Sequence, residues 1–89
     1  MNKNEDLELQ FNKAVNDIKN SGKIFDNKIL LELYGYYKQS TIGDCNIQEP
    51  SFLFVKEKAK WDAWNNHKSL KKNHAMKKYI NLVDKLLKD

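Results

Sequence analysis

Apolar residues recur at helical spacing along nearly all of this chain, and the residues that break helices fall in a few places. One proline and three glycines punctuate 89 residues, and no stretch alternates apolar and polar residues as a half-buried strand does. Leu7, Phe11, Ala14, Val15 and Ile18 form a first stripe, preceded by acids where a helix dipole favours negative charge. Ser21 and Gly22 supply its stop. Asp26 is the expected N-cap of a second helix, on which Leu30, Leu33, Tyr34, Tyr37 and Thr41 share one face. Gly43 offers the left-handed position that ends it. Residues 44–50 read as a polar loop closing on Pro50, a residue suited to the first turn of a helix. A short turn and a third helix are expected from Ser51 to about His67, where Leu53, Phe54, Ala59, Trp61, Ala63 and Trp64 give a less regular pattern. The fourth helix is expected from about Lys71, with Ala75, Met76, Tyr79, Ile80, Val83, Leu86 and Leu87 on its apolar side. Ser69 is its expected cap, while Lys71 and Lys72 oppose its dipole. The spacing predicts an all-α, four-helix bundle formed by one domain over residues 1–89.

So short a chain builds a thin core and leaves little room for a deep, walled active site. No nucleophile stands beside a base, and no pair of carboxylates is placed to converge, so an enzyme is not expected. Cys45 is the single cysteine, next to the acidic Asp44, and cannot form an internal disulfide. Together with His67 and His74 it has no metal-ligand spacing, so neither a metal nor a cofactor is expected. No apolar run is long enough to span a bilayer, and the opening MNKNEDLELQ is acidic and lacks the apolar stretch of a secretory signal. A cytoplasmic location is the expectation. The net charge of +4 comes from sixteen lysines with no arginine. That balance favours an anionic partner. The missing planar guanidinium counts against a reader of nucleic-acid bases.

The stretch YGYYKQSTIGDCN, residues 34–46, concentrates three tyrosines beside a lysine. Tyr34, Tyr37 and Lys38 lie at i, i+3 and i+4, so they share one helix surface, while Gly35 and Tyr36 point elsewhere. On the third helix Lys56 and Lys60 are also four apart, with Trp64 continuing their line. If these helices adjoin, phenol hydroxyls, ammonium groups and ring faces meet in a patch suited to a phosphate-bearing nucleotide. A tyrosine stripe flanked by snorkelling lysines is equally compatible with plain core packing. Spacing leaves both readings open.

YGYYKQSTIGDCN, followed by KAKWDAWN (residues 58–65) and AMKKYINLV (residues 75–83), closely resembles the acyl-CoA-binding protein family. The resemblance begins at FNKAVNDIK and covers nearly the whole chain. It implies a four-helix bundle running up-down-down-up, with a long crossing connection, that binds long-chain acyl-CoA esters one to one. It further implies that Tyr34, Tyr37, Lys38 and Lys60 hold the adenine and the adenosine 3′-phosphate, with Lys19, Lys56 and Tyr79 as further contacts. The acyl chain is expected in an apolar groove beneath the nucleotide, with Phe11, Val15, Leu30 and Leu31 as lining candidates.

Three positions depart from the family's usual pattern. Val15 stands where a small alanine is common, Ser21 replaces a leucine, and the fourth helix lacks acids at its start. The resemblance favours a non-enzymatic intracellular carrier that buffers and transports acyl-CoA for lipid metabolism. It is expected to be a monomer with at most transient membrane contact and no nucleic-acid partner. The alternative is a helical interaction module whose lysines bind an acidic protein, a membrane surface or nucleic acid.

Overall fold

The computed structural model describes residues 3–88. Its helices are α1 (Lys3–Asn20), α2 (Asn27–Thr41), α3 (Val55–Asn65) and α4 (Lys72–Leu87). Local chemistry sets most of their ends. Glu5 and Asp6 occupy the first turn of α1 and Lys19 its last, each matching the dipole. The Ser21 hydroxyl then donates to the Ile18 carbonyl at 2.9 Å, and Gly22 follows at φ +73°. The Asp26 carboxylate accepts from the Ile29 N–H at 3.0 Å and caps α2. Ile42 and Gly43 close that helix by donating to the Lys38 carbonyl at 2.8 and 3.3 Å, with Gly43 at φ +99°.

Two expectations need correction. Pro50 does not open α3. It precedes a separate turn closed by the Phe54 N–H on the Ser51 carbonyl at 2.9 Å, and α3 begins only at Val55. Nor does Ser69 cap α4: the N-cap is Lys71, without a side-chain hydrogen bond. Ser69 instead takes a left-handed backbone, φ +76°, and its N–H donates to Asp44 Oδ1 at 2.7 Å. The same oxygen accepts from Gln39 Nε2 at 2.9 Å, and Gln39 Nε2 also reaches the Leu70 carbonyl at 2.7 Å. Gln39 is fully buried. It stitches the end of α2 to both connections, a larger role than finishing its own helix.

Residue pairs set the directions of the helices. Along α2 and α3 the numbers rise together: Leu31 flanks a cleft with Ala59, the Lys60 ammonium lies by Tyr34, and Lys38 lies over Trp64. Along α1 and α4 they also rise together, Leu7 with Asn73 and Ala14 with Ile80. Against α4, α2 runs in reverse, with Gly43 beside Lys72 and Tyr37 beside Tyr79. The topology is up-down-down-up, and residues 42–54 carry the chain back along the bundle between the two parallel helices. Both indoles pin that connection. Trp64 Nε1 donates to the Gly43 carbonyl at 2.7 Å and Trp61 Nε1 to the Ile47 carbonyl at 2.9 Å.

No helix is enclosed. α1 packs on α4, α4 on α2, and α2 on α3, in a body of 44 × 30 × 15 Å. Phe11, Ala14, Leu33, Tyr79 and Val83 make the central buried cluster, with Val15, Ile18, Tyr36 and Ile80 packed around it. The closest helix approach is at Gly35, which is buried against α3. A Cβ there would collide with the Ala63 carbonyl oxygen and lie 3.0 Å from its carbon. Glycine is what lets these two backbones meet.

Candidate functional site

Two neighbouring features on α2 gather most of the residues singled out in the sequence. One is a groove of about 450 Å³ between α2 and α3, lined by Asn27, Leu30, Leu31 and Tyr34 on one side and Val55, Lys56, Ala59 and Lys60 on the other. Parallel helices with apolar residues one turn apart, Leu30 with Tyr34 and Val55 with Ala59, create its floor and walls. The Lys60 ammonium sits 5.7 Å from the Tyr34 ring centroid. Leu30 is half exposed, so the groove is open to solvent along its length.

The other feature is an aromatic cluster on the side of α2 that faces α1 and α4. The Phe11 ring stacks on Tyr37 at 5.9 Å and meets Tyr79 edge-on at 5.1 Å. Phe11 and Tyr79 are buried, whereas Tyr37 is 40% exposed and presents its outer part to solvent. Burial, with Tyr37 adding a smaller push, raises the Tyr79 phenol above its ordinary value, so it stays a neutral donor. Tyr34 lies between the two features. Tyr37 leans toward α1, and Lys38 leans toward α3 with its ammonium 4.8 Å from the Trp64 ring centroid.

The predicted residues are therefore not all equivalent. Tyr34, Leu30, Leu31, Lys56 and Lys60 come together in the α2–α3 groove. Phe11 and Val15 do not line it; Phe11 is in the central cluster and Val15 packs against that cluster. Lys19 is exposed on the last turn of α1, continuing the line of Phe11 and Val15. Tyr36 turns away as expected, stacking on His67 at 4.3 Å. Sequence reasoning missed Val55 and Ala59 as groove walls. Their four-residue spacing, in register with Lys56 and Lys60, was the available signal.

Electrostatics separates the lysines. Lys58 is engaged by Asp62 at 2.6 Å and Glu49 at 3.1 Å, and these two carboxylates raise its pKa. Among the described residues, Lys38, Lys56 and Lys60 form no ion pair. Three cations without carboxylates thus stand beside aromatic faces and an apolar groove. Chemically, that arrangement accepts a molecule with phosphates and a flat ring at one end and a hydrocarbon at the other. The described residues hold no group of three or more His, Cys, Asp or Glu side chains able to bind a metal.

Comparison with known proteins agrees with this geometry. The family model described as Acyl CoA binding protein matches residues 8–83. A protein from a Hypsibius species that carries the name acyl-CoA-binding protein is 44% identical over 81 residues, 91% of each chain. The crystal structure of Oryza sativa Acyl-CoA-Binding Protein 2 superposes with a TM-score of 0.89 at 33% identity, covering 94% of this chain and 91% of that one. The solution structure of the Babesia bovis acyl CoA binding protein gives 0.74 at 39% identity, over 85% and 88% of the two chains. With four helices in the same arrangement and a family match over most of its length, the chain belongs to the acyl-CoA-binding protein family.

Proposed function

We propose that residues 1–89 act as one acyl-CoA-binding domain, a non-enzymatic carrier that binds long-chain fatty acyl-CoA esters, buffers them and transports them for lipid metabolism. Lys56 and Lys60, free of carboxylates at the mouth of an apolar groove, carry the assignment. In this reading Lys38 and Lys60 take the 3′-phosphate in charge-assisted hydrogen bonds. The faces of Tyr34 and Tyr37 receive the adenine, Tyr79 supplies a neutral hydroxyl, and Lys19 and Lys56 complete the cationic rim. Leu30 and Leu31 hold the acyl chain against Val55 and Ala59. Phe11 and Val15 support the site from the core side.

The groove supplies affinity where a short chain has little core of its own. Each methylene removed from water contributes ~0.8 kcal/mol, so burying ten gives roughly 8 kcal/mol before ordering costs. Affinity therefore rises with chain length, whereas binding to nucleic acid collapses with added salt. The carrier is a cytoplasmic monomer whose membrane contacts are brief. Isothermal titration with palmitoyl-CoA tests the assignment. One-to-one binding tighter than for free CoA is expected, and no saturation at micromolar concentrations overturns it.

A further inference from the structure

Phe52, Leu53, Phe54 and Val55 follow one another along the chain and are 79%, 73%, 61% and 73% exposed. Scattered exposed apolar residues are ordinary, but four in succession form a patch that a solitary soluble chain does not retain without use. They occupy the start of α3, where Phe54 holds the N-cap position and makes no side-chain hydrogen bond. An apolar residue at that position forgoes the capping that Asp, Ser or Asn provides. Local helix stability has been given up to keep the patch.

The patch lies at one end of the bundle. Val55 and Asn27, at the starts of α3 and α2, line the same groove, and Lys23 on the α1–α2 connection donates to the Leu86 carbonyl near the end of α4 at 3.2 Å. That end therefore also carries Ile24, 98% exposed, and Leu30, 48% exposed. It holds the last turns of α1 and α4 as well, with Lys19, Lys85 and Lys88, and beside the patch Lys28 and Lys56. Asp26, Glu57 and Asp84 are the facing acids, and Asp26 is committed to capping α2. Apolar side chains ringed by a surplus of lysines match the acyl and headgroup layers of an anionic bilayer.

We infer that this end of the molecule docks on anionic membranes, inserting Phe52, Leu53 and Phe54 among the acyl chains while the surrounding lysines meet the headgroups. The inference rests on the carrier reading for its purpose and deepens it. The acyl groove opens beside the patch through Leu30 and Val55, so docking brings the groove's end to the hydrocarbon of the bilayer. A chain can then pass between groove and membrane without crossing water. A second copy of this chain, or an apolar protein, is the rival occupant. The surplus of lysines disfavours self-association through this end.

The test is partition of the full chain onto vesicles of phosphatidylcholine with phosphatidylserine, and onto phosphatidylcholine alone. The wild type should bind the anionic vesicles and bind the neutral ones weakly. The triple variant Phe52→Ser, Leu53→Ser, Phe54→Ser should bind anionic vesicles at least about tenfold less. Lys85→Gln with Lys88→Gln should cost about fivefold per lysine on anionic vesicles only. All variants should keep wild-type affinity for palmitoyl-CoA. Vesicle binding unchanged in the triple variant, no vesicle binding by the wild type, or a wild-type dimer in sedimentation that the triple variant dissociates would each overturn the proposal. Loss of palmitoyl-CoA binding by the wild type sinks the carrier reading instead, and leaves the vesicle result to stand on its own.

Discussion

Replacing Gly35 by alanine sets two known effects against each other, and the structure decides between them. Alanine is favoured over glycine within a helix by about 1 kcal/mol. At this position, however, the added methyl meets the Ala63 carbonyl group, its carbon at 3.0 Å, and the His67 ring at 3.2 Å. The nearest obstacle is backbone, so no rotamer change relieves it, and α2 and α3 must separate. Overpacking of this kind costs up to about 3 kcal/mol, leaving a net loss of about 2 kcal/mol. For a domain of this size that corresponds to a fall in melting temperature of roughly 10 °C. Separation also displaces Lys60 and Ala59 relative to Tyr34 and Leu31, so palmitoyl-CoA should bind more weakly by a larger factor than stability alone dictates. Urea denaturation and calorimetric titration measure the two losses. Gly22→Ala is the matched control: a Cβ there meets nothing within 4 Å, and only the left-handed backbone at φ +73° is strained. It should lose about 1 kcal/mol with no change in ligand affinity. If Gly35→Ala matches or exceeds wild-type stability, the close approach of α2 and α3 is refuted.

Lys38→Ala and Lys60→Ala should each weaken palmitoyl-CoA binding by about 1.5–3 kcal/mol, the range for hydrogen bonds to charged groups, while urea midpoints move little; equal losses in folding and binding would assign them a structural role. Val15→Ala should shift the preferred acyl length, read by titrating octanoyl- to stearoyl-CoA, and an unchanged profile would remove Val15 from the determinants of length. Asp44 is held below the ordinary carboxylate pKa by hydrogen bonds from Gln39 and the Ser69 N–H. A depressed folded-state value contributes stability above the unfolded pKa, near 3.8, and that stability disappears as pH falls through the lower folded value. Melting temperatures followed into acid should therefore fall more steeply for wild type than for Asp44→Asn, and parallel curves would show that the latch contributes nothing.

Helix limits were legible where one residue and its near neighbours decide them, as at Asp26, Gly22 and Gly43. The tyrosine–lysine run was legible as a face, and the resemblance gave it a ligand. Ser69 was misread because its backbone is set by Asp44, 25 residues away in sequence; a cap preference is local and cannot register that partner. α3 looked irregular for a physical reason. It packs only on α2, so a single narrow strip of it faces the bundle, and Phe54 and Val55 at its start face water. Gly35 was invisible as a determinant because its role depends on how α2 and α3 are aligned, which spacing within either helix does not encode. For the same reason the division of Tyr34, Tyr37 and Lys38 between two neighbours emerged only in three dimensions.

A bundle in which no helix is surrounded has one further outcome. Few side chains are fully buried, and the walls of the α2–α3 groove are half open, so an acyl chain lying there would join the interior rather than fill a finished cavity. Ligand that binds only the folded form adds about 2.7 kcal/mol at a hundredfold excess over the dissociation constant. The unliganded chain then opens more often and is the form that proteases cut. Turnover becomes linked to supply: when acyl chains are plentiful the carrier persists, and when they are scarce it is cleared, with no regulator beyond its own thin interior.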